Sequence, residues 1–335
     1  MTGTTAEVEM PVTMVEPQVI ENAVRLACRA PSLHNTQPWQ WILSDDGTLQ
    51  LFLDPSRIML SDRSGRQALI GCGAALDHLR VAMAAAGWRT QVSRFPNPND
   101  PNHLATIDFT PMDYVTEGHR RRANAILLRR TDRLPFIAPT SWDSFEPVLR
   151  NALDGDAVLL HVMPDELREC LGNASHLAES LRLYDSQYHA ELGWWTAPFE
   201  ASEGIPYSSL VSAAENERVD VARAFPVTHQ TERRTQVPED NATILLLSTD
   251  TDDRTDALAS GEALSAVLLE CTMAGLATCP VTHITEVRVT RDMVKSCMEH
   301  DTVPQILVRV GAAPAIEDVP PPTPRRALDE VFRRS

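Results

Sequence analysis

A pattern that repeats after 188 residues is the feature that most limits how this chain can fold. Without a gap, eight residues recur at that distance around two long apolar segments, each with one glycine in its middle and another at its end. Glycine inside a helix costs about 1 kcal/mol relative to alanine unless close packing requires it. We therefore expect two long helices that cross closely at a pseudo-twofold axis, unless two alanine-rich helices are similar by chance. The matching positions are Asp62, Arg66, Gly73, Ala75, Leu76, Ala86, Gly87 and Thr90, and then Asp250, Arg254, Gly261, Ala263, Leu264, Ala274, Gly275 and Thr278.

Size and charge limit the possible partners. The length of 335 residues exceeds one ordinary domain and suggests two halves. The formal net charge of −16 argues against nucleic acid and anionic membrane surfaces, because both need a broad basic face. No apolar run approaches the roughly 20 residues of a membrane helix, and residues 1–16 carry no pattern typical of a secretory signal. Six cysteines without a CxxC pair favour a reducing cytoplasm, and no histidines have metal-ligand spacing, so we assign no metal.

Hydrophobic periodicity predicts helices interspersed with strands, which is typical of an α+β fold with mixed or antiparallel sheets. A helix is predicted from Pro17 to Arg29, and Asp45-Asp46-Gly47 predicts a hairpin between strands at 41–43 and 49–53. The other predicted helices are at 66–86, around Ile126, at 166–183 and at the second repeat, and the other strands are at 104–109, 158–163, 244–247 and 305–310.

The turn behind the first predicted helix combines a rigid backbone with hydrogen-bonding side chains. Pro31 and Pro38 fix the backbone, and Ser32, Asn35 and Gln37 are compact polar residues with an aromatic residue behind them. Such a turn can hold a polyhydroxyl or heterocyclic ligand. A helix-capping loop that binds nothing would have the same composition.

Arginines are concentrated in two segments of this acidic chain. The run Arg129-Arg-Thr-Asp-Arg133 contains three arginines and a hydroxyl, and Pro320-Pro-Pro-Thr-Pro-Arg-Arg326 ends in two more arginines. A phosphate monoester accepts several charge-assisted hydrogen bonds, each worth about 1.5–3 kcal/mol. The two segments therefore predict a local anion site, with a solvated charge run and a polar tail as the alternatives.

Several of these motifs resemble those of one family. The turn resembles the Pro-Ser-x-x-Asn-x-Gln-Pro-Trp signature of the nitroreductase-like flavoproteins, and its Ala-Pro-Ser-x-His-Asn-Thr-Gln-Pro-Trp form resembles the Acg-type branch. The arginine run resembles the family's Arg-Arg-Ser-x-Arg motif, and Gly275-Leu-Ala-Thr-Cys-Pro-Val281 resembles its Gly-Leu-Gly segment. The resemblance implies a nitroreductase-like, internally duplicated pseudo-dimer, with one half at 1–113 and the other at 114–335. It also implies one FMN between the turn of the first half and the arginine clamp of the second, together with a degenerate second site.

The same resemblance implies a set of cofactor-binding residues but no catalytic acid or base. The stretch His229-Gln-Thr-Glu-Arg-Arg234 is similar to a family segment that reaches the flavin ring and ribityl chain. Cys279 stands where a small residue is common and Pro280 has no N–H, so the amide that faces flavin N5 stays open. The implied FMN-binding residues are Pro31, Ser32, Leu33, Asn35, Gln37, Arg129, Arg130, Thr131, Arg133, Gln230, Arg233, Cys279, Pro280, Val281, Arg325 and Arg326.

The implied reaction transfers a hydride from NAD(P)H through FMN to a nitro compound, a quinone or a related small-molecule acceptor. A second hypothesis uses the aromatic residues of segment 184–207 as a lid over the flavin. The chain would then be an FMN-binding or flavin-storage protein with little or no turnover. An aromatic core under a long loop explains the same residues. We expect a cytoplasmic monomer, or a weak homodimer, without a nucleic-acid or membrane partner.

Overall fold

The computed structural model describes residues 14–153, 155, 157–197, 203–226, 228, 231–298, 301–317 and 319–335. The described residues form helices with antiparallel and mixed sheets, which confirms the α+β class. The helices are α1 (Pro17–Ala27), α2 (Arg66–Ala85), α3 (Glu117–Leu128), α4 (Trp142–Asn151), α5 (Arg168–Arg182), α6 (Ser186–Trp195), α7 (Ala213–Glu217), α8 (Arg254–Met273), α9 (His283–Glu286), α10 (Arg288–Ser296) and α11 (Leu328–Val331). The strands are β1 (Trp39–Leu43), β2 (Leu49–Leu53), β3 (Trp88–Arg94), β4 (His103–Pro111), β5 (Leu159–Met163), β6 (Thr243–Thr249), β7 (Ala277–Val281), β8 (Val303–Gly311) and β9 (Phe332–Arg334).

Two sheets with the same strand arrangement flank the central helices. The first sheet has the order β3-β4-β2-β1-β9 and the second has the order β7-β8-β6-β5. Within both sheets the corresponding neighbours are antiparallel, and β9 makes the first sheet mixed by pairing parallel with β1. The expected boundary at 113/114 lies between β4 and α3, whereas β9 brings the last residues of the chain into the first sheet. The matching strand orders are what a duplicated fold requires.

Helices α2 and α8 cross at the two glycines in their middles. Each helix has 20 residues, and their starting residues are 188 positions apart. A Cβ atom on Gly73 would lie 2.0 Å from the carbonyl oxygen of Leu258, and one on Gly261 would lie 2.0 Å from that of Ile70. Since Leu258 and Ile70 are themselves related by the same shift, the contact is pseudo-symmetric. The prediction of a close crossing is therefore confirmed, and both glycines are required by backbone contact.

A pair of unlike residues lies beside this crossing. Ser265 is the counterpart of Asp77 under the shift of 188, and its Oγ donates a hydrogen bond of 2.6 Å to the Asp77 carboxylate. Both side chains are buried. Burial raises the pKa of Asp77, while the Ser265 hydroxyl opposes that rise.

One hydrophobic core connects the two halves. It contains Trp39 and Trp41 of β1, Leu76 and Leu264 of the central helices, and Val308 of β8. Within the described residues, α2 is the one helix long and apolar enough to cross a membrane, and 83% of its most apolar window is buried inside the fold. Such burial is typical of a core helix in a globular protein. The two halves are therefore joined by a shared hydrophobic core as well as by the continuous chain.

Two of the six cysteines are paired. Cys170 on α5 and Cys297, directly after α10, form a disulfide across 127 residues of sequence. No CxxC motif marks this pair in the sequence, because the packing of α5 against α10 brings together two cysteines that are far apart in the chain. The other four cysteines are free and buried.

Candidate functional site

The turn after α1 has an unusual backbone. It contains a short 3-10 turn at Leu33–Asn35, and His34, Asn35 and Gln37 have φ angles of 47°, 61° and 52°. Non-glycine residues rarely adopt positive φ, and for each the strain is on the order of 1 kcal/mol or more. Three such residues within four positions mark a segment whose shape is imposed by its surroundings, as is common at binding sites.

Hydrogen bonds to distant segments hold this turn. The backbone N–H of Gln37 donates to Ser32 Oγ at 3.0 Å. The side-chain amide of Asn35 donates to the carbonyl oxygens of Gly204 and Pro324, both at 3.1 Å. The turn is therefore a meeting point of three segments that are far apart in sequence.

Two of the expected FMN contacts lie behind the turn. Gln37 is fully buried, and its Oε1 accepts from the backbone N–H of Arg326 at 2.9 Å. The Arg326 guanidinium donates to the Gln37 carbonyl at 3.2 Å and lies 3.8 Å from the Asp54 carboxylate. Neither side chain lines the cavities described below, so both support the turn from its far side.

Three arginines meet beside the turn without a counter-ion. Arg129 ends α3 and donates to the carbonyl of Arg29 at 3.1 Å, and Arg325 donates to the carbonyls of Cys28 at 2.9 Å and Arg29 at 3.1 Å. Arg29 itself donates to the carbonyl of Thr323 at 3.3 Å. Among the described residues, no ion pair joins any of these three guanidiniums to a carboxylate.

The electrostatics of this arginine cluster, Arg29, Arg129 and Arg325, favour an anion. Burial and then the neighbouring Arg29 lower the pKa of Arg129 to about 10, and burial, Arg129 and Arg29 lower the pKa of Arg325 to about 9. Nε and Nη1 of Arg129 are buried without a hydrogen-bond partner. Three close positive charges with free donors are costly alone and become favourable when a phosphate or another dianion lies between them.

The cluster opens into one of two adjoining cavities. We call the first the arginine cavity, which is lined by the cluster together with Asn35 and the proline-rich residues 313–316 and 319–323. The second, which we call the inner cavity, extends between the first turns of α2 and the ends of β7 and β8. The two cavities share five lining residues, so one elongated ligand can occupy both; these residues are Pro31, Ser32, His34, Thr131 and Arg133.

The expected binding residues are distributed over these two cavities. Asn35, Arg129, Arg130, Arg233 and Arg325 line the arginine cavity. Leu33, Cys279, Pro280 and Val281 line the inner cavity, and Pro31, Ser32, Thr131 and Arg133 line both. Gln230 lies outside the described residues. The turn of the first half and the arginine run of the second half thus face the same space.

Backbone contacts place the arginine run next to β7. Thr131 forms a parallel bridge with Thr278, and both Thr131 and Arg133 line the inner cavity. Arg233 donates to the carbonyls of Ser208, at 2.7 Å, and Leu210. Arg130 donates to the carbonyl of Pro320. The side chains of Arg130 and Arg233 are therefore held by backbone carbonyl oxygens of neighbouring loops.

The aromatic residues of segment 184–207 do not line either cavity where they are described. Tyr184 and Trp194 are exposed, Tyr188 is buried elsewhere, and Phe199 lies outside the described residues. Phe225 lines the inner cavity instead, with its ring edge-on to His34 at 5.9 Å and the Arg133 guanidinium over it at 5.1 Å. An isolated phenylalanine carries no sequence signal, which is why this residue escaped prediction.

Several polar residues of the inner cavity were also not predicted. Gln67 lies in the first turn of α2, Arg309 on β8 and His283 at the start of α9. Arg309 is fully buried and paired with the Asp240 carboxylate. Gln67 directly follows a repeat position, and Arg309 is a charge within an apolar strand. The sequence therefore contains a signal for each of these two residues, but it does not show that they lie at the same cavity.

A buried ion network supports the inner cavity from the side of α5. Glu286 pairs with Arg182 at 2.8 Å and with Arg223, which lines the cavity. Burial alone would raise the pKa of Glu286, but Arg223 and Arg182 hold that pKa well below its usual range. The carboxylate is thus charged and fixes Arg223 in place.

A further hollow lies at the position related to the inner cavity by the internal repeat. Thr255 and Ala259 line it, and both are counterparts of residues that line the inner cavity. Inside it, Arg94 forms a two-pronged ion pair with Glu262, with both distances at 2.7 Å. The degenerate second site stays a prediction; three arginines line this hollow, Arg80, Arg94 and Arg122, and Arg94 has Glu262 as its counter-ion.

The comparisons with known proteins agree with this arrangement. No model of a protein family matches the chain. A Mycobacterium tuberculosis protein named "Putative NAD(P)H nitroreductase acg" is 60% identical over 324 residues, which cover 96% of this chain and 98% of that protein. A second protein of that organism with a "Putative NAD(P)H nitroreductase" name is 36% identical and covers 94% of this chain and 91% of its own length. The chain belongs to the nitroreductase-like family. Within that family, its similarity is to the Acg-type members.

Solved structures of nitroreductases show a weaker similarity. The FMN-dependent nitroreductase NfnB from Mycobacterium smegmatis in complex with NADPH is 14% identical, covers 65% of this chain and 100% of its own length, and has a TM-score of 0.41. The FMN- and NADPH-dependent nitroreductase NfnB from Sphingopyxis sp. strain HMH is 16% identical, covers 63% of this chain and 97% of its own length, and also has a TM-score of 0.41.

Proposed function

We propose that this chain is an FMN-binding oxidoreductase that takes a hydride from NAD(P)H and passes it to a nitro compound, a quinone or a related acceptor. The observation that carries the proposal is the arginine cluster, which lines a cavity that adjoins a second one. Arg129 is buried and Arg29 and Arg325 are half-buried, and none of the three pairs with a carboxylate among the described residues. The family membership and the names of the relatives support the same reaction class.

The residues present fit FMN. Arg29, Arg129 and Arg325 would hold the phosphate, since the free donors of Arg129 are buried and unpaired. The inner cavity would hold the ring system between the turn of the first half and β7. The chemistry that the group supplies when bound is acceptance and donation of a hydride.

The chain's own residues bind, orient and exclude water rather than transfer protons. Burial raises the pKa of the Cys279 thiol, so this thiol is neutral and a poor nucleophile at neutral pH. Burial, followed by the nearby Arg223, lowers the pKa of His34 well below its usual value, so its imidazole is neutral as well. We therefore nominate no general acid or base.

The assembly and location that we propose follow the sequence. Because the two halves are fused through one core, we infer a monomer or a weak homodimer. Cytoplasmic action is consistent with the four free buried cysteines, and the disulfide between Cys170 and Cys297 would then be a feature of the oxidised chain.

One experiment tests the proposed function. The purified protein is examined for a yellow chromophore, the released cofactor is identified by its mass, and the bleaching of the chromophore by NADPH and by NADH is timed without oxygen. We expect one FMN per chain and complete bleaching by at least one nicotinamide. A flavin-loaded protein that neither nicotinamide reduces would indicate storage rather than catalysis. A protein that binds no added FMN would reject both functions.

A further inference from the structure

Three polar atoms around the inner cavity have no partner. Among the described side chains that line this cavity, the buried polar atoms without a hydrogen bond are Nε2 of Gln67, Nη1 of Arg309 and Nδ1 of His283. Each residue is at least nine-tenths buried. An unpaired buried polar atom costs about 1–3 kcal/mol, and three around one cavity therefore indicate a ligand that supplies the missing partners.

The chemical character of two of these atoms follows from their types. Gln67 Nε2 is an amide donor on the first turn of α2. Arg309 uses Nε and Nη2 on the Asp240 carboxylate and the Leu134 carbonyl, which leaves the donor Nη1 unused. The ligand must therefore offer two acceptors to these two donors.

The third atom is an acceptor because of its neighbours. Ser175 Oγ lies 3.0 Å from the carbonyl oxygen of Ala222, which can only accept, so the single hydroxyl proton of Ser175 points there. Ser175 Oγ must then accept from Nε2 of His283, at 2.8 Å. Burial, followed by the positive charge of Arg223, lowers the pKa of His283 to about 3, so the ring is neutral and carries only one proton. That proton is on Nε2, and Nδ1 presents a bare lone pair.

We infer that these three atoms recognise the pyrimidine edge of the flavin ring, which carries two carbonyl oxygens on either side of one N–H group. In this arrangement His283 Nδ1 accepts from the ring N3–H, while Gln67 and Arg309 donate to the carbonyl oxygens. The number and kind of groups match, with two donors and one acceptor facing two acceptors and one donor. This inference rests on the proposed function, because it concerns the orientation of the FMN that the arginine cluster would anchor.

Ser175 is then a positioning residue. It touches His283 but does not line the inner cavity, and it selects the tautomer that His283 presents. Without its oxygen, the imidazole could carry its proton on either nitrogen, and the tautomer with the proton on Nδ1 could not accept from N3–H.

The test uses full-length protein loaded with FMN that carries ¹⁵N at N3 and ¹³C at C2 and C4. In the wild type we expect the N3–H proton signal to be shifted downfield and to exchange slowly with water. In His283→Leu the signal should move upfield and exchange faster, and the FMN dissociation constant should rise about tenfold. In Gln67→Leu the C2 or C4 signal should move upfield while N3–H stays hydrogen-bonded.

Two further variants keep the test decisive. Ser175→Ala leaves His283 in place, removes its partner together with the hydrogen bond to the Ala222 carbonyl, and should shift the N3–H signal in the same direction, which decides the matter if His283→Leu does not fold. His176→Leu, an exposed histidine on the same helix, is the matched control and should leave every signal unchanged. If FMN binds but N3–H is unaffected in the folded His283 and Ser175 variants, the inference is wrong and the proposed function stands. If the wild type binds no FMN, the proposed function itself fails.

Discussion

Replacing Arg129 by methionine should make the free protein more stable while it abolishes tight FMN binding. Methionine keeps much of the side-chain volume but removes the charge and the two unpaired donors, Nε and Nη1. The opposite signs of the two effects distinguish a binding residue from a structural one, because loss of a structural arginine lowers the stability of the free protein.

The magnitudes follow from the surroundings of Arg129. Its pKa falls from 12.5 to about 10 in the fold, which corresponds to about 3 kcal/mol against folding at neutral pH. Because the fold lowers the pKa of this cation, the charged form of Arg129 destabilises the folded state. This penalty is fully present below pH 10 and is relieved as the pH rises through the pKa of about 10 that Arg129 has in the folded protein. Loss of the one hydrogen bond to Arg29 offsets about 1 kcal/mol, which leaves a gain of about 2 kcal/mol. Two lost charge-assisted bonds to phosphate should weaken FMN binding by about 3 kcal/mol, a factor of about 150.

The assay is urea unfolding of the free and the FMN-saturated protein, together with calorimetric titration of FMN. Arg130→Met is the matched control, because Arg130 is exposed, lines the same cavity and donates only to the Pro320 carbonyl; its unfolding free energy should stay within about 0.5 kcal/mol of the wild type. The reasoning is refuted if free Arg129→Met is less stable than the wild type by more than about 1 kcal/mol, or if its FMN affinity changes less than about threefold.

Three other changes test the fold and the ion network. Gly73→Ala should lower the unfolding free energy by about 3 kcal/mol or more, because a methyl group would lie 2.0 Å from a backbone oxygen of α8. The control is Gly193→Ala, where nothing lies within 4 Å, and this variant should leave the unfolding free energy unchanged or raise it by up to about 1 kcal/mol. If urea unfolding gave the same change for both variants, the close helix crossing would be contradicted. Glu286→Gln should cost about 3–5 kcal/mol at pH 7, since two buried arginines lose their counter-ion. Because the pKa of Glu286 is lowered in the fold, this difference should shrink progressively as the pH falls below 4.5, and a difference that is constant down to pH 3 would show that the carboxylate charge is not responsible. Cys170→Ser should lower the free energy of unfolding, measured by thermal denaturation, by about 2–4 kcal/mol relative to the oxidised wild type. The variant should match the wild type treated with reductant, and equal stability of the variant and the oxidised wild type would show that the bridge does not form in solution.

The sequence was sufficient for the central helices because their constraint is local and repeated. Glycine at positions 73 and 261 is unfavourable inside a helix, so its recurrence in the same frame requires close packing. The structure confirms both helices to within a residue and the crossing at these glycines. The strands at 49–53 and 243–249 were predictable for a similar reason, because apolar β-branched and leucine residues form continuous or alternating runs.

Other elements depend on tertiary context that one sequence does not contain. Strand β3 has only two apolar residues, Trp88 and Val92, and none of its residues is fully buried, so its alternation is weak, and β9 has only three residues. Pro280 lies inside β7 although proline is disfavoured in strands, because β7 is the edge of its sheet. The positive φ angles of the turn at 34–37 are likewise not predictable from side chains that are not glycine.

The candidate site divides in the same way. Its charged part was accessible from the sequence, because the arginines at 129–133 and 325–326 are clustered locally. The inner cavity was only half accessible, since His283, Gln67 and Arg309 come from three separate elements and each is ordinary where it stands. Their shared property, a buried polar atom without a partner, exists only in three dimensions.

The contact between Asp77 and Ser265 shows what a single continuous chain permits that two identical subunits do not. In a dimer of identical subunits, a position on the rotation axis faces its own copy, so a carboxylate there would meet a carboxylate. Joining the subunits lets one copy mutate alone, and here an acceptor opposes a donor. The same freedom allows the hollow that the repeat relates to the inner cavity to hold a salt bridge between Arg94 and Glu262. A fused chain can therefore change one of two originally equivalent sites without changing the other, so that the second site is free to acquire another role.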